Sequence, residues 1–116
     1  MPRSSVTLRE IDAVTIVDLK GFIMLGESSA LVRTTFQELI NNDQRQIILN
    51  LSEVSRIDSA GVGELVAAYI LAKKKGGKVK LLNPSPKIYD MLKLTQLSKI
   101  FEIYADEALA LRSYDS

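Results

Sequence analysis

The run Leu49-Asn50-Leu51-Ser52-Glu53-Val54-Ser55-Arg56-Ile57-Asp58-Ser59-Ala60-Gly61-Val62-Gly63-Glu64-Leu65 decides how this chain of 116 residues is read. It begins apolar, turns polar at Ser52-Glu53, and reaches Asp58-Ser59-Ala60-Gly61 just before residues with helical spacing. The pattern predicts a strand over Gln46 to Leu51, a short polar turn, and a long amphipathic helix opening at Ser59 or Ala60. In an α/β sheet such a turn lies at the carboxyl edge, where ligands and partners bind. Ser59 falls at or beside the helix N-cap, which directs its hydroxyl toward backbone N–H groups with no partner inside the helix. Gly61 and Gly63 would let another molecule approach the first helical turn closely. Two roles for Ser59 stand side by side. It is a cap contributing about 1 kcal/mol, or a phosphoacceptor whose phosphate would rest on the positive end of the helix dipole.

Outward from that junction, the N-terminal part reads as two strands. One run starts at Val6, Glu10-Ile11-Asp12-Ala13 interrupts it, and Val14-Thr15-Ile16-Val17-Asp18-Leu19 is β-branched and partly alternating. The short connection predicts an antiparallel hairpin. Gly21 breaks the pattern, and Phe22 to Gly26 is an apolar link assigned to neither strand nor helix. A helix follows from about Ser28, with Leu31, Val32, Phe36, Leu39 and Ile40 on one face and Asn41-Asn42-Asp43 as its stop.

Downstream of the junction, the second helix runs to about Lys75 with Val62, Leu65, Val66, Tyr69 and Ile70 as its inward stripe. It closes on Lys73-Lys74-Lys75 and Gly76-Gly77, cations at the negative dipole end followed by glycine. Those lysines therefore do not require a nucleic acid, whose binders spread basic residues along a face. Lys78 to Leu82 is a strand, and Ser85-Pro86 opens a short helix with Ile88, Met91 and Leu92 inward. A last strand is expected near Ile100 to Tyr104, and Asp106-Glu107 open a terminal helix. The order β-β-α-β-α-β-α-β-α predicts one α/β domain over residues 1–116: a mixed, largely parallel sheet of four to five strands with about four helices.

Composition narrows function by exclusion. The chain is 47% hydrophobic and 25% charged with a net charge of +1, so no global field draws it to nucleic acid or to an anionic membrane. Without cysteine there is no disulfide framework, and without histidine there is no Ser-His-Asp triad or imidazole metal ligand. Gly61-Val62-Gly63-Glu64-Leu65-Val66 resembles a dinucleotide fingerprint, but Val66 stands where the third glycine belongs and Asn83 where an acid would hold the ribose. A P-loop lacks its Gly-Lys-Ser/Thr ending, and a nucleophile elbow would need glycine at Ile57. Asp58 with Glu53 or Glu64 could hold a divalent ion, yet carboxylates at such turns are more often caps. No apolar signal region opens the chain, and no run approaches the roughly 18 apolar residues of a membrane span. The expectation is a soluble cytoplasmic protein, not an enzyme, with no cofactor and no metal.

The central run also resembles the signature of STAS domains of the anti-sigma-factor antagonist type, D-L-S-x-V-x-x-I-D-S-S/A-G-L/V-G-x-L. The resemblance extends over essentially the whole chain, through Gly76-Gly77 with Val79-Lys80-Leu81-Leu82, Leu94-Thr95-Gln96-Leu97, Phe101-Glu102-Ile103-Tyr104 and the closing Asp106-Glu107-Ala108-Leu109. It implies a STAS fold and a protein-binding switch. In that switch Ser59 is phosphorylated by a serine kinase that is also the anti-sigma factor. The unphosphorylated chain binds that kinase and frees a sigma factor, and a metal-dependent serine phosphatase resets the cycle. The implied partner surface is Asp58, Ser59, Ala60, Gly61 and Gly63, joined by Met24 in the apolar link and Glu27 just after it. One departure stands out. Family members commonly read G-x-L/I-D after the second strand, whereas Gly21-Phe22-Ile23 is followed here by Met24, with Glu27 the nearest acid. Within the family the alternative is a scaffold subunit of a stressosome-like or lipid-transport complex without phosphorylation. Outside it, the alternative is a small nucleotide-binding or hydrolytic enzyme.

Overall fold

Two residues in left-handed backbone, Asp12 (φ 50°) and Ala13 (φ 67°), close the N-terminal hairpin, the turn geometry that matches the twist of paired strands. The computed structural model describes residues 3–115. Its order is β1 (Ser5–Ile11), β2 (Val14–Ile23), α1 (Glu27–Asn41), β3 (Gln46–Ile57), α2 (Ser59–Lys74), β4 (Lys78–Leu82), α3 (Pro86–Leu94), β5 (Ile103–Tyr104) and α4 (Glu107–Arg112), with a 3-10 turn at Leu97–Lys99. The predicted element order and α/β class are the ones observed. The five strands lie in chain order, β1 antiparallel to β2 and the rest parallel.

Parallel crossovers are right-handed, and here each one steps to the next strand in the same direction, which puts the connecting helices on one face. That face holds the main core. Val17, Leu19, Ile23, Ile47, Leu49, Leu51 and Val54 of the sheet meet Val32, Phe36, Leu65, Ala68, Ile88 and Leu92 of α1, α2 and α3. Of the stripe predicted for α2, Leu65 is buried and Val62, Val66 and Tyr69 pack against the core, but Ile70 is exposed, and Ala68 and Ala72 are buried as well. The small Ala68 and Ala72 let α2 lie close to the strands while Leu65 fills the core between them.

The opposite face carries a smaller cluster of Val14, Ile16, Ile48, Leu82 and Ala110 under α4. Polar ties hold that helix down. The Arg9 guanidinium donates to Asp18 (3.0 Å) and Glu107 (2.7 Å), and Asn50 also donates to Asp18 (2.8 Å). Buried Lys80 donates to Ser113 Oγ (2.8 Å) with its Nζ 4.1 Å from the Tyr114 ring centroid.

Three boundaries differ from the sequence reading. β2 does not stop at Gly21. Phe22 and Ile23 continue it after an irregularity between Gly21 and Phe22, and Gly21 (φ 105°) lies close against Ser4. β3 does not end at Leu51 in a polar turn. It runs to Ile57, paired with β2 as far as Ile23↔Ile57, while its pairing with β4 ends at Asn50↔Leu82. Residues 51–57 therefore project past β4 as a two-stranded extension with β2, and the Asp58–Ser59 junction sits at its tip. β5 keeps only Ile103–Tyr104 of the predicted strand.

Candidate functional site

The strand-to-helix junction is built from three chain segments: the end of β3, the first turn of α2, and the link Met24-Leu25-Gly26 between β2 and α1. Asp58, not Ser59, is the N-cap of α2. Its Oδ1 accepts from the Gly61 N–H (2.9 Å) and its carbonyl from the Val62 N–H (2.9 Å). Its other oxygen, Oδ2, accepts from the Leu25 N–H (3.0 Å), and its own N–H donates to the Ile23 carbonyl (3.2 Å). One carboxylate thus satisfies a free donor of α2 and another just before α1, at the end of the sheet where both helices begin. The N–H groups of Leu25 first, and then of Gly61, hold the Asp58 carboxyl below its ordinary range.

That assignment frees Ser59. As the first residue of α2 it is exposed, and among the described residues its hydroxyl makes no hydrogen bond. Ala60 is half-buried behind it.

The two glycines have opposite surroundings. A Cβ on Gly61 would lie 2.2 Å from the Ile23 carbonyl oxygen and 2.7 Å from Ile57 Cγ2, whereas a Cβ on Gly63 would meet nothing within 4 Å. The close approach expected at Gly61 is therefore made by the chain's own β2, because α2 is pulled onto that strand by the Asp58 bonds. Only Gly63 leaves open space at the surface.

The link preceding α1 is wired throughout. The Met24 N–H donates to Ser28 Oγ (2.8 Å), and the Met24 carbonyl accepts from Ser28 Oγ (3.0 Å) and the Ser29 N–H (3.0 Å). The Gly26 N–H donates to Ser29 Oγ (3.2 Å), and that hydroxyl donates to the Gly26 carbonyl (3.0 Å). Gly26 takes φ 115°, a conformation open to glycine. Met24 is half-buried and brings no charge to the junction, and exposed Glu27 pairs with Arg3 at 3.8 Å. Sequence reasoning missed Leu25, which is 83% exposed. The signal was present in Gly26 followed by the serine pair, a helix-start pattern that fixes the residues before it.

Comparison with known protein families places the chain as a whole. The STAS domain profile matches residues 5–110. This chain belongs to the STAS family. An anti-sigma F factor antagonist of Paenibacillus polymyxa is 33% identical over 99 residues, covering 84% of each chain. A candidate anti-sigma factor antagonist from Thermotoga maritima, solved by crystallography, superposes with a TM-score of 0.89 at 28% identity, covering 96% of this chain and 95% of that one. The Bacillus cell-fate determinant SpoIIAA, in its phosphorylated form, shares the fold with a TM-score of 0.73 at 22% identity, covering 94% and 98%. This STAS chain is thus of the anti-sigma factor antagonist kind. Among its described residues no helix is long and apolar enough to cross a membrane, and no cluster of acidic side chains is arranged to hold a metal ion.

The Asp58 contacts make a pH prediction. Its carboxyl is lowered from the ordinary 3.8 in the folded protein. Its two ties therefore stabilise the fold above the unfolded pKa and are lost as pH falls through the lower folded value. In an NMR titration the Asp58 carboxyl and the Leu25 amide should share one midpoint below 3.8. Asp58→Asn keeps one acceptor oxygen of the two, so exchange of the Leu25 or the Gly61 amide should speed up by about tenfold. Unchanged exchange at both would show that the bridge is not formed in solution.

Proposed function

We propose that this STAS chain is an anti-sigma factor antagonist whose binding to its anti-sigma factor is switched by phosphorylation of Ser59. The observation that carries the proposal is the division of labour at the junction: Asp58 caps α2, which leaves the Ser59 hydroxyl exposed and uncommitted. The anti-sigma factor is also the kinase. It transfers the terminal phosphoryl of a nucleoside triphosphate to Ser59 Oγ, which loses its proton as the new P–O bond forms and the diphosphate leaves.

The product carries about −1.5 to −2 extra charge at the start of α2. The helix dipole stabilises that charge internally, so the fold need not change. SpoIIAA, which shares this fold, is known both unphosphorylated and phosphorylated. At the docking surface the same dianion, next to Asp58, must be desolvated or meet like charge. Every 1.4 kcal/mol of that penalty costs about tenfold in affinity. Binding of the unphosphorylated chain frees a sigma factor in the cytoplasm, and a metal-dependent serine phosphatase restores the hydroxyl. Exposed Gly63 belongs to the contact surface with Asp58, Ser59 and Ala60. Gly61 supports it from beneath, and Met24 and Glu27 flank it.

Intact-mass spectrometry tests the reading. The chain is incubated with ATP and each serine kinase of the anti-sigma type from its own genome, wild type against Ser59→Ala. One added phosphate on the wild type and none on the variant is the expected result. Phosphate retained on the variant would move the site. No phosphate with any kinase would favour a STAS scaffold subunit.

A further inference from the structure

Leu25 is a large apolar side chain left 83% exposed on a backbone that is not free to move. Its own N–H is held by Asp58 at 3.0 Å, and its neighbours Met24 and Gly26 are each bound through both N–H and carbonyl to Ser28 and Ser29. Both serines are buried. Nothing in the fold requires a leucine here, because its side chain contributes little to either core cluster. A mobile loop would lose backbone and side-chain freedom on docking, whereas this link has already lost its backbone freedom on folding.

We propose that Leu25 is the apolar anchor of the docking surface around Ser59, seated in an apolar recess of the anti-sigma factor. This rests on the function proposed above and names the chemistry of the partner at that site. The link to Ser59 is geometric: Asp58 precedes Ser59 in the chain and holds the Leu25 amide directly. A partner burying about 800 Å² on each side covers a patch roughly 16 Å in radius if round. A patch of that size centred on Ser59 covers Leu25 as well. Burying a leucine that starts in water favours the complex, and the preformed link keeps that gain from being spent on ordering. Asp58 has two functions in this arrangement, capping α2 and setting Leu25 beside the phosphoacceptor.

The test uses the full chain and the kinase that phosphorylates its Ser59, with affinity measured by calorimetry. Leu25→Ala should weaken binding by about tenfold or more, with the thermal midpoint unchanged because the side chain is exposed. Leu109→Ala is the control, since Leu109 is 51% exposed on α4 across the sheet; it should leave affinity within about twofold. If the wild type binds and takes phosphate while Leu25→Ala binds equally well, the anchor is overturned and the phosphorylation reading stands. If no kinase binds or modifies the wild type, that reading fails and the anchor falls with it. A Leu25→Ala chain that loses affinity but also melts earlier than wild type would mark Leu25 as structural and overturn the proposal.

Discussion

Gly61→Ala should destabilise the domain by about 2–3 kcal/mol, although alanine is the better helix former by about 1 kcal/mol. The added methyl would sit 2.2 Å from the Ile23 carbonyl oxygen and 2.7 Å from Ile57 Cγ2. Neither neighbour is the flexible end of a long side chain. The Ile23 carbonyl also accepts the Asp58 N–H, so relieving the clash means moving α2 off β2 and stretching that bond. The damage is local to the junction but falls on the packing of Ile23 and Leu65, both buried in the main core. In urea the midpoint should fall by roughly 1–3 M with the slope unchanged. Gly63→Ala should have the opposite sign, stabilising by about 0.5–1 kcal/mol, because its Cβ enters open space within the same helix. If Gly61→Ala were neutral, the close contact between β2 and the first turn of α2 would not exist in solution.

The contrast between the two glycines marks the limit of what the sequence discloses. Both lie in one Gly-x-Gly step at a helix start, and nothing local separates the one pressed against a strand from the one facing water. The cap is a similar case. Asp58 and Ser59 are equally good capping residues, and the choice is made by a long-range bond that the Leu25 N–H donates to the Asp58 carboxylate. β3 is longer than its sequence suggests for the same reason. Ser52, Glu53, Ser55 and Arg56 are polar and exposed, so they imitate a turn. They are strand because residues 20–23 of β2 pair beside them, and Val54 still points into the core. By contrast, the start of α3 was legible. Ser85 caps it by accepting from the Ile88 N–H at 3.3 Å, and Pro86 occupies the first turn, a chemistry that is wholly local. The order of elements was legible too, since alternating strand and helix periods with short connections leave few topologies. The place of the candidate site followed from that order. Its internal bonding did not.

Ser59→Asp should lower affinity for the anti-sigma factor by roughly 30- to 100-fold while leaving the thermal midpoint within about 2 °C of wild type. Stability is spared because Asp58 already caps α2 and an acid in the first helical turn is favoured by the dipole, offset by the neighbouring Asp58 charge. Affinity is not spared, because the new carboxylate lies where the partner must exclude water. A phosphate should weaken binding further, since it carries about −1.5 to −2 charges rather than one. Ser59→Ala supplies the complement: it removes no hydrogen bond within the described residues, so both binding and stability should stay close to wild type, the latter within about 0.5 kcal/mol. An Asp variant that unfolds would return Ser59 to a structural role and remove the basis of the switch. Salt then locates the charge. Buried charges are screened far less than exposed ones, so the loss should persist at about 0.5 M ionic strength. A loss that salt abolishes would put Ser59 at the rim of the interface and make long-range repulsion, not desolvation under the partner, the origin of the switch.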